Sequence, residues 1–450
     1  MEERKTSDIL REESAAPTGE ANTYMEANVN GEENMAGETN AVEEAYMPEE
    51  ASAEDAADVR KGKLRRWFPY RPILAGIMGA VVLVFALLFF ILPKETFSEV
   101  RQKALTRLHS VSVEDLWNSR YADTLKEHVA EQFPFHDKFQ KIYNMAQKLS
   151  GVMEKNGIYL FGNNGYAEDI VVPEEKDETD LITQLTAFAA AHKDANIQFL
   201  LAPNAASICR AKLAVDAPIA DQNALMDDFF QKVQEAGIAT IDVRQELRAH
   251  ADEYLYYRTD PRWTSDAAVL AFDAAATSLG MKTGEKDFTK KTVEGTFVGR
   301  LAALCGLREP EPDVLTLYRA KKQPKAVVYD RSDGRGAGRR LAKLYDSTCL
   351  GTVDAYKYFL GGDYPLLRLT SGKAKTDRRL LIIKDSYANC ILPLFPKYYA
   401  QVDVVDVHRY TGNLDALMEK NRISEVLFLC NANTLFSDTS LAGLLGGGKA

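Results

Sequence analysis

Residues 380–395 read LLIIKDSYANCILPLF, and the fold is decided on this run. Four aliphatic residues in succession, 380–383, show no polar alternation, which is the pattern of a strand buried on both faces. Lys384, Asp385 and Ser386 follow at once, and a helical stretch is expected over 388–399. A strand that turns directly into a helix exposes a hydroxyl at the turn and offers backbone N–H groups to an oxyanion. Ser386 is therefore a nucleophile candidate. The same placement also suits a helix N-cap, a common station for Ser.

Outward from this run, similar apolar strands are expected at 197–202 (IQFLLA), 239–243, 402–407 (VDVVDV) and 426–429 (VLFL). Helices are expected between them at 222–236, 264–279 and 413–421, the second capped by Thr264 with Asp266 in its first turn. Continuous apolar strands separated by helices predict an α/β fold, a mostly parallel sheet flanked by helices. In such sheets ligands bind beyond the carboxyl ends of the strands. Polar residues fall there: Pro203-Asn204, Lys384-Asp385-Ser386 and Asp406-Val407-His408. The stretch 282–379 has no clear period, and its basic run 331–340 with three Gly reads as a solvated loop.

Charge divides the chain unevenly. Residues 1–58 hold 17 acidic and 3 basic residues, and residues 59–93 hold 6 basic and none acidic. The remainder is close to neutral, with 46 basic against 48 acidic residues. No basic surplus is left there to neutralise phosphates, which argues against nucleic-acid binding. With 20 Phe and 20 Tyr the chain is not disordered throughout, and 28 Gly without a period exclude collagen. Residues 73–92 (ILAGIMGAVVLVFALLFFIL) are twenty residues without a charge, enough to cross a bilayer as a signal-anchor helix. Basic residues from Arg60 to Arg71 stand just before them, which predicts a cytoplasmic N-terminus and an extracytoplasmic region from 94 onward. The expected organisation is a disordered acidic tail over 1–60, the transmembrane helix, a helical stalk over 94–150 and an α/β domain over 151–441.

The five cysteines all lie beyond the anchor. Cys390 and Cys430 sit in apolar runs and read as buried hydrophobes, and a Cys305–Cys349 bridge is compatible with the spacing. There is no CxxC or His/Cys cluster, so no metal site is expected. Of the six histidines, His109, His128, His136, His192 and His250 read as solvated, in the stalk or at helix ends.

Taken together, HVAEQFPFHDKF (128–139), NGIYLFGNNGY (156–166), YYRTDPRWTSDAA (256–268), YKYFLGGDYPL (356–366) and the 380–395 run resemble the DHHW-type proteins of bacterial cell surfaces. The terminal VLFLCNANTLFSDTSL (426–441) fits as well. That family is similar to the SGNH-hydrolase-like alginate O-acetyltransferases. The resemblance implies an SGNH-hydrolase-like fold and a triad built from the Asp-x-His of the DHHW motif and a Ser. It carries the nucleophile onto Ser386 and the orienting acid onto Asp260. Tyr387, Asn204 and Asn389 become the oxyanion or substrate-binding candidates. It also implies acetyl transfer onto surface polysaccharide beside a membrane-bound acyl carrier of the MBOAT class, with no cofactor.

The motif itself departs from the family. Asp260-Pro261-Arg262-Trp263 stands where Asp-His-His-Trp is expected, so Arg262 holds the place of the catalytic histidine. A Ser hydroxyl needs a base to take its proton, and a guanidinium stays protonated and has no acceptor lone pair. Asp260 and Arg262 are expected to form a salt bridge, and His408, two residues past Asp406, is the possible substitute base. Three functions follow: a protein of polysaccharide O-acetylation whose own triad is degenerate, an active acyltransferase or esterase using Ser386 with His408, or a non-catalytic glycan-binding scaffold.

Overall fold

The computed structural model describes residues 70–93, 97–98, 103–104, 125–126, 128–129, 132–284, 286–371 and 376–447. The acidic tail expected over 1–60 and the basic residues 60–66 lie outside the described residues. Contacts divide the chain into two compact units, Met1–Met78 and Gly79–Ala450. Helix α1, Tyr70–Ile91, begins three residues before the expected anchor. Its Pro72–Ile91 portion is long and apolar enough to cross a membrane, and none of that portion is buried against protein. Of the stalk expected over 94–150, Phe97–Ser98 and Lys103–Ala104 form a short antiparallel pair, so the helical period does not hold there. His136–Leu149 is helical as expected.

An eight-stranded sheet forms the centre of the second unit. Its strands in chain order are β1 Asn196–Ala202, β2 Ala239–Ile241, β3 Lys325–Tyr329, β4 Arg339–Arg340, β5 Leu366–Thr370, β6 Arg379–Lys384, β7 Gln401–Asp406 and β8 Glu425–Asn431. The spatial order is β4-β3-β5-β7-β6-β8-β1-β2. From β7 to β2 every pairing is parallel, while β4, β3 and β5 extend the sheet with antiparallel pairings. The sheet is therefore parallel in its core and mixed at one edge.

Both faces are covered, which is why the core strands read as unbroken apolar runs. Leu380, Ile382, Leu427 and Leu429 turn to one face, and Leu381, Ile383, Val426 and Phe428 turn to the other. The first face packs on helix α4, Ser265–Ser278, through Ala268, Ala271 and Phe272. The second packs on α2 (Glu175–Ala191), α3 (Gln222–Glu235) and α5 (Leu414–Asn421) through Leu185, Phe229 and Leu417. Thr264 caps α4, accepting from the Ala267 N–H as its sequence predicts.

Several expectations are corrected. The helix expected over 388–399 is two short 3-10 helices, Ser386–Cys390 and Leu392–Lys397. Pro393 and Pro396 explain this, because each lacks the N–H that an α-helical ladder needs. The stretch 282–379 is not all loop: β3 and β5 lie in it, as does an antiparallel pair, Phe288–Thr292 with Thr316–Ala320. All five cysteines are free, so the Cys305–Cys349 bridge does not form. Cys305 is buried against the Ile158 carbonyl, whereas Cys349 is half-exposed. His128, expected in solvent, is buried.

Phe428 tests where the packing strength lies. It is fully buried, stacked on Phe199 at 5.2 Å and edge-on to Phe188 at 5.8 Å. Phe428→Ala is expected to cost about 3–5 kcal/mol in denaturant unfolding of the full-length protein in detergent, because a cavity adds to the lost transfer energy. A loss near zero would mean that this face of the sheet is not packed as described.

Candidate active site

The site begins with a turn. Tyr256 and Trp263 form an isolated antiparallel bridge, and the Tyr257 N–H donates to the Arg262 carbonyl at 3.2 Å, so Arg258 to Arg262 are carried out as a tight loop. A buried carboxylate sets the loop's shape. Asp313 Oδ1 accepts from the Arg258 N–H and Oδ2 from the Thr259 N–H, each at 2.8 Å, and the Tyr254 and Thr259 hydroxyls also donate to it. Gly299 closes the far side. A Cβ there would stand 2.7 Å from the Thr259 carbonyl oxygen and 2.9 Å from Asp260 Cβ, so only glycine fits. Its N–H donates to Thr259 Oγ1 at 2.7 Å.

The second wall is the end of β6. Asp385, not Ser386, caps the 3-10 helix: its Oδ1 accepts the Tyr387 N–H at 2.9 Å, and its Oδ2 accepts the Asn431 N–H at 2.7 Å. Ser386 is then the first residue of the helix, half-buried, with its hydroxyl free of capping. Trp263 is fully buried and donates Nε1–H to the Tyr387 carbonyl at 2.8 Å, and the Tyr387 hydroxyl donates to the Pro261 carbonyl. Loop and helix are thus stitched in both directions.

Arg262 bridges the two walls. Its Nη1 lies 3.0 Å from both Asp260 oxygens, and its Nε–H donates to Ser386 Oγ at 2.8 Å. The guanidinium rests on the Tyr356 ring, 4.6 Å from its centroid. Burial works against the Arg262 charge, but Asp260 outweighs it and raises the pKa further above its ordinary value. The order acid–cation–hydroxyl replaces acid–imidazole–hydroxyl. A cation near Oγ favours an alkoxide by about 4 kcal/mol at 4 Å and an effective dielectric of 20, roughly three pKa units. Asp260 offsets much of that gain, and nothing at hand takes the proton.

Two polar networks flank the bridge. Lys384 is buried, with Nζ 2.5 Å from Asp363 Oδ1 and 2.7 Å from Asp406 Oδ2. Burial pushes the Asp363 carboxyl up, but Lys384 and a bond from Asn389 outweigh it and hold it well below the usual carboxylate range. On the other side Asn204 Oδ1 accepts from the Gln222 side chain at 2.8 Å and the Asn431 side chain at 3.1 Å, tying the ends of β1 and β8 together. Glu168 carries no ion pair among the described residues, and its carboxyl is raised by burial and then by Asp260.

The expected residues therefore divide. Ser386, Asp260 and Arg262 come together although 124 positions separate Arg262 from Ser386. Tyr387 is adjacent, but its N–H is spent on Asp385 and is not an oxyanion donor. Asn389 donates its Nδ2–H to Asp363 at 2.8 Å, away from Ser386. Asn204 lies one residue, Asn431, away from Asp385, and its Nδ2 has no protein acceptor. His408 does not serve Ser386: its Nε2 lies 2.7 Å from Asp438, and that bond raises its pKa. No imidazole among the described residues bonds to Ser386. Asp313, Asp363, Tyr356 and Glu168 were not expected as site residues.

With this geometry in view, the comparisons with known proteins can be read. Residues 160–334 match the family described as "SGNH hydrolase-like domain, acetyltransferase AlgX". That span includes Asp260 and Arg262 and ends before Ser386. A DHHW family protein from Eubacterium siraeum is 21% identical, covering 65% of this chain and 96% of its own at a TM-score of 0.56. PatB1 of Bacillus cereus, solved with a sulfonyl adduct, is 18% identical, covering 63% of this chain and 96% of its own at 0.52. At these identities the likeness to solved structures shows the fold alone. No curated protein matches the sequence. Residues 160–334 thus match an SGNH hydrolase-like domain, the type that the resemblance in the sequence implied.

The buried Lys384 gives a pH-dependent test. Lys384→Met leaves two carboxylates without their cation and is expected to cost about 3–5 kcal/mol at pH 7 by chemical denaturation. Asp363 has a depressed pKa in the folded state, so its contribution is complete above the unfolded value of about 3.9 and lost as pH falls through the folded one. The gap between variant and wild type should accordingly narrow below about pH 4. A gap independent of pH would show that the cation does not hold these charges.

Proposed function

We propose that this protein is a single-pass, membrane-anchored extracytoplasmic component of cell-surface polysaccharide O-acetylation whose own seryl site does not turn over. The observation that carries this reading is the 2.8 Å bond from Arg262 Nε–H to Ser386 Oγ, in the place where a triad needs a base. The guanidinium occupies the hydroxyl's acceptor side and stays protonated, so it cannot drive attack on an ester. The family match over 160–334 supports an acetyltransferase-type domain. The resemblance of the motifs supports a surface polysaccharide as the polymer and a membrane-bound acyl carrier of the MBOAT class as the partner. The apolar helix Pro72–Ile91 behind basic residues supports an outward-facing domain. In this division of labour the domain holds the glycan and the partner supplies the acyl group.

Two experiments test the reading. Protease added to intact cells should degrade the region beyond residue 94, and protection of that region would refute the orientation. For the chemistry, turnover of p-nitrophenyl acetate is measured on full-length protein in detergent. Wild type should be inactive, and Arg262→His should gain about 10²-fold or more over wild type, since a positioned base typically contributes 10²–10⁴. The gain should vanish in Arg262→His with Ser386→Ala. Robust wild-type turnover that is lost on Ser386→Ala would overturn the reading.

A further inference from the structure

A cavity of about 730 Å³ opens beside the 256–262 loop and includes neither Ser386 nor Arg262 among its walls. That size falls within the range of small-ligand sites, roughly 300–1,000 Å³. Aromatic side chains form its floor: Phe161, Tyr254, Tyr256 and Tyr257. The Arg258 guanidinium lies flat on Tyr254, 4.5 Å from the ring centroid. Exposed polar residues form the rim, chiefly Asn163, Asp252 and Glu253.

The hydrogen-bonding balance of the rim is one-sided. Its cations are engaged, with Lys212 Nζ donating to the Ala251 carbonyl at 2.8 Å and Arg258 3.5 Å from Glu311. Of its acceptors, Glu311 is engaged by Arg258 and by the Asn164 side chain at 3.2 Å. Among the described residues Asp252 has no ion pair and no hydrogen bond, Glu253 commits one oxygen to His250 at 2.8 Å, and the Asn163 amide, with its acceptor and its donors, has no side-chain partner. An aromatic floor under a rim of free acceptors suits a ring with an apolar face and a crown of O–H or N–H donors. A polymer with a carboxylate on every ring would instead meet Asp252 and Glu253 with like charge.

We infer that this cavity binds the polysaccharide and selects a polymer of neutral or amino sugars over a polyuronate. The inference rests on the proposed glycan-holding role and names its substrate class. The cavity is built to hold the chain beside the site, because Arg258 in its wall shares the Asp313 clamp with Thr259, next to Asp260.

Isothermal titration of full-length protein in detergent tests this with three probes: the neutral N-acetylated chitin hexamer, the cationic chitosan hexamer and the anionic mannuronate hexamer. The first two should bind, and the third should bind at least about tenfold more weakly. Asp252→Lys should weaken the chitosan hexamer about tenfold or more, and Ala211→Trp, at an exposed wall position, should abolish binding of both sugars. Hexamer binding reports on the cavity and p-nitrophenyl acetate turnover reports on the seryl site, so failure of one reading is distinguishable from failure of the other. Equal binding of the mannuronate hexamer would overturn the inference, as would binding indifferent to both cavity variants. Pentalysine binding with the neutral hexamer silent would reassign the cavity to cationic peptides and overturn it equally.

Discussion

A guanidinium held between a buried carboxylate and a hydroxyl governs this site. Asp260 is almost entirely out of solvent, and a buried carboxylate without a partner is costly enough that it would rather be protonated. Arg262 supplies the charge and two short bonds, and Tyr356 supplies a flat face for the cation. Its Nε–H is accepted by Ser386 Oγ. The three groups are thus bonded to one another. Stability of the arrangement and inertness of the hydroxyl have the same cause.

The sheet explains why so much charge gathers in one place. The core strands spend both faces mainly on apolar packing, with Gln198 in β1 and Asp403 in β7 as buried polar exceptions that each have partners, and most other polar side chains gather at the strand ends. Lys384 closes β6 beside Asp406, which closes β7 in register with it. Asn431 closes β8 beside Ala202, which closes β1, and its side chain reaches the Ala202 carbonyl at 2.9 Å. These parallel strands end at one rim, and Asp363, Asp385 and the Asp260 loop complete the row. A rim of this kind tolerates buried ionisable groups only where each is answered by a counter-charge or, as at Asp385, by hydrogen-bond donors.

The parts of the fold legible in the sequence are those where one local pattern decides the structure. The runs at 197–202, 380–383 and 426–429 lie within β1, β6 and β8, and 402–407 overruns β7 by one residue, because a doubly covered strand is predominantly apolar. The antiparallel strands β3 and β5 have no clear local signal, since KAVVY and LLRLT mix basic and apolar residues as half-covered strands do. Ser386, Asp260 and Arg262 were legible through motifs. Asp313 was not, because a lone Asp between Pro312 and Val314 has no local signal, and its role depends on a loop 54 positions earlier. Tyr387 was misread for a related reason: Ser386 looked like the cap, and the Asp385 carboxylate took the N–H.

Retention of an acid and a serine in the motif positions reads at first as retention of catalysis. The geometry gives each residue a sufficient reason of another kind. With Arg262 in place, Asp260 neutralises a half-buried cation, and losing it would leave that charge without its counter-ion. Ser386 is required to accept the third guanidinium bond in a half-buried setting. Trp263 ties its loop to the Tyr387 carbonyl whatever the chemistry nearby. The motif can thus persist as a structural clamp that fixes the wall shared by the 256–262 loop and its neighbouring cavity. Histidine in place of Arg262 would change the purpose of this clamp rather than its shape, because a neutral imidazole between the same two partners gives up the permanent charge and gains the lone pair that the hydroxyl needs.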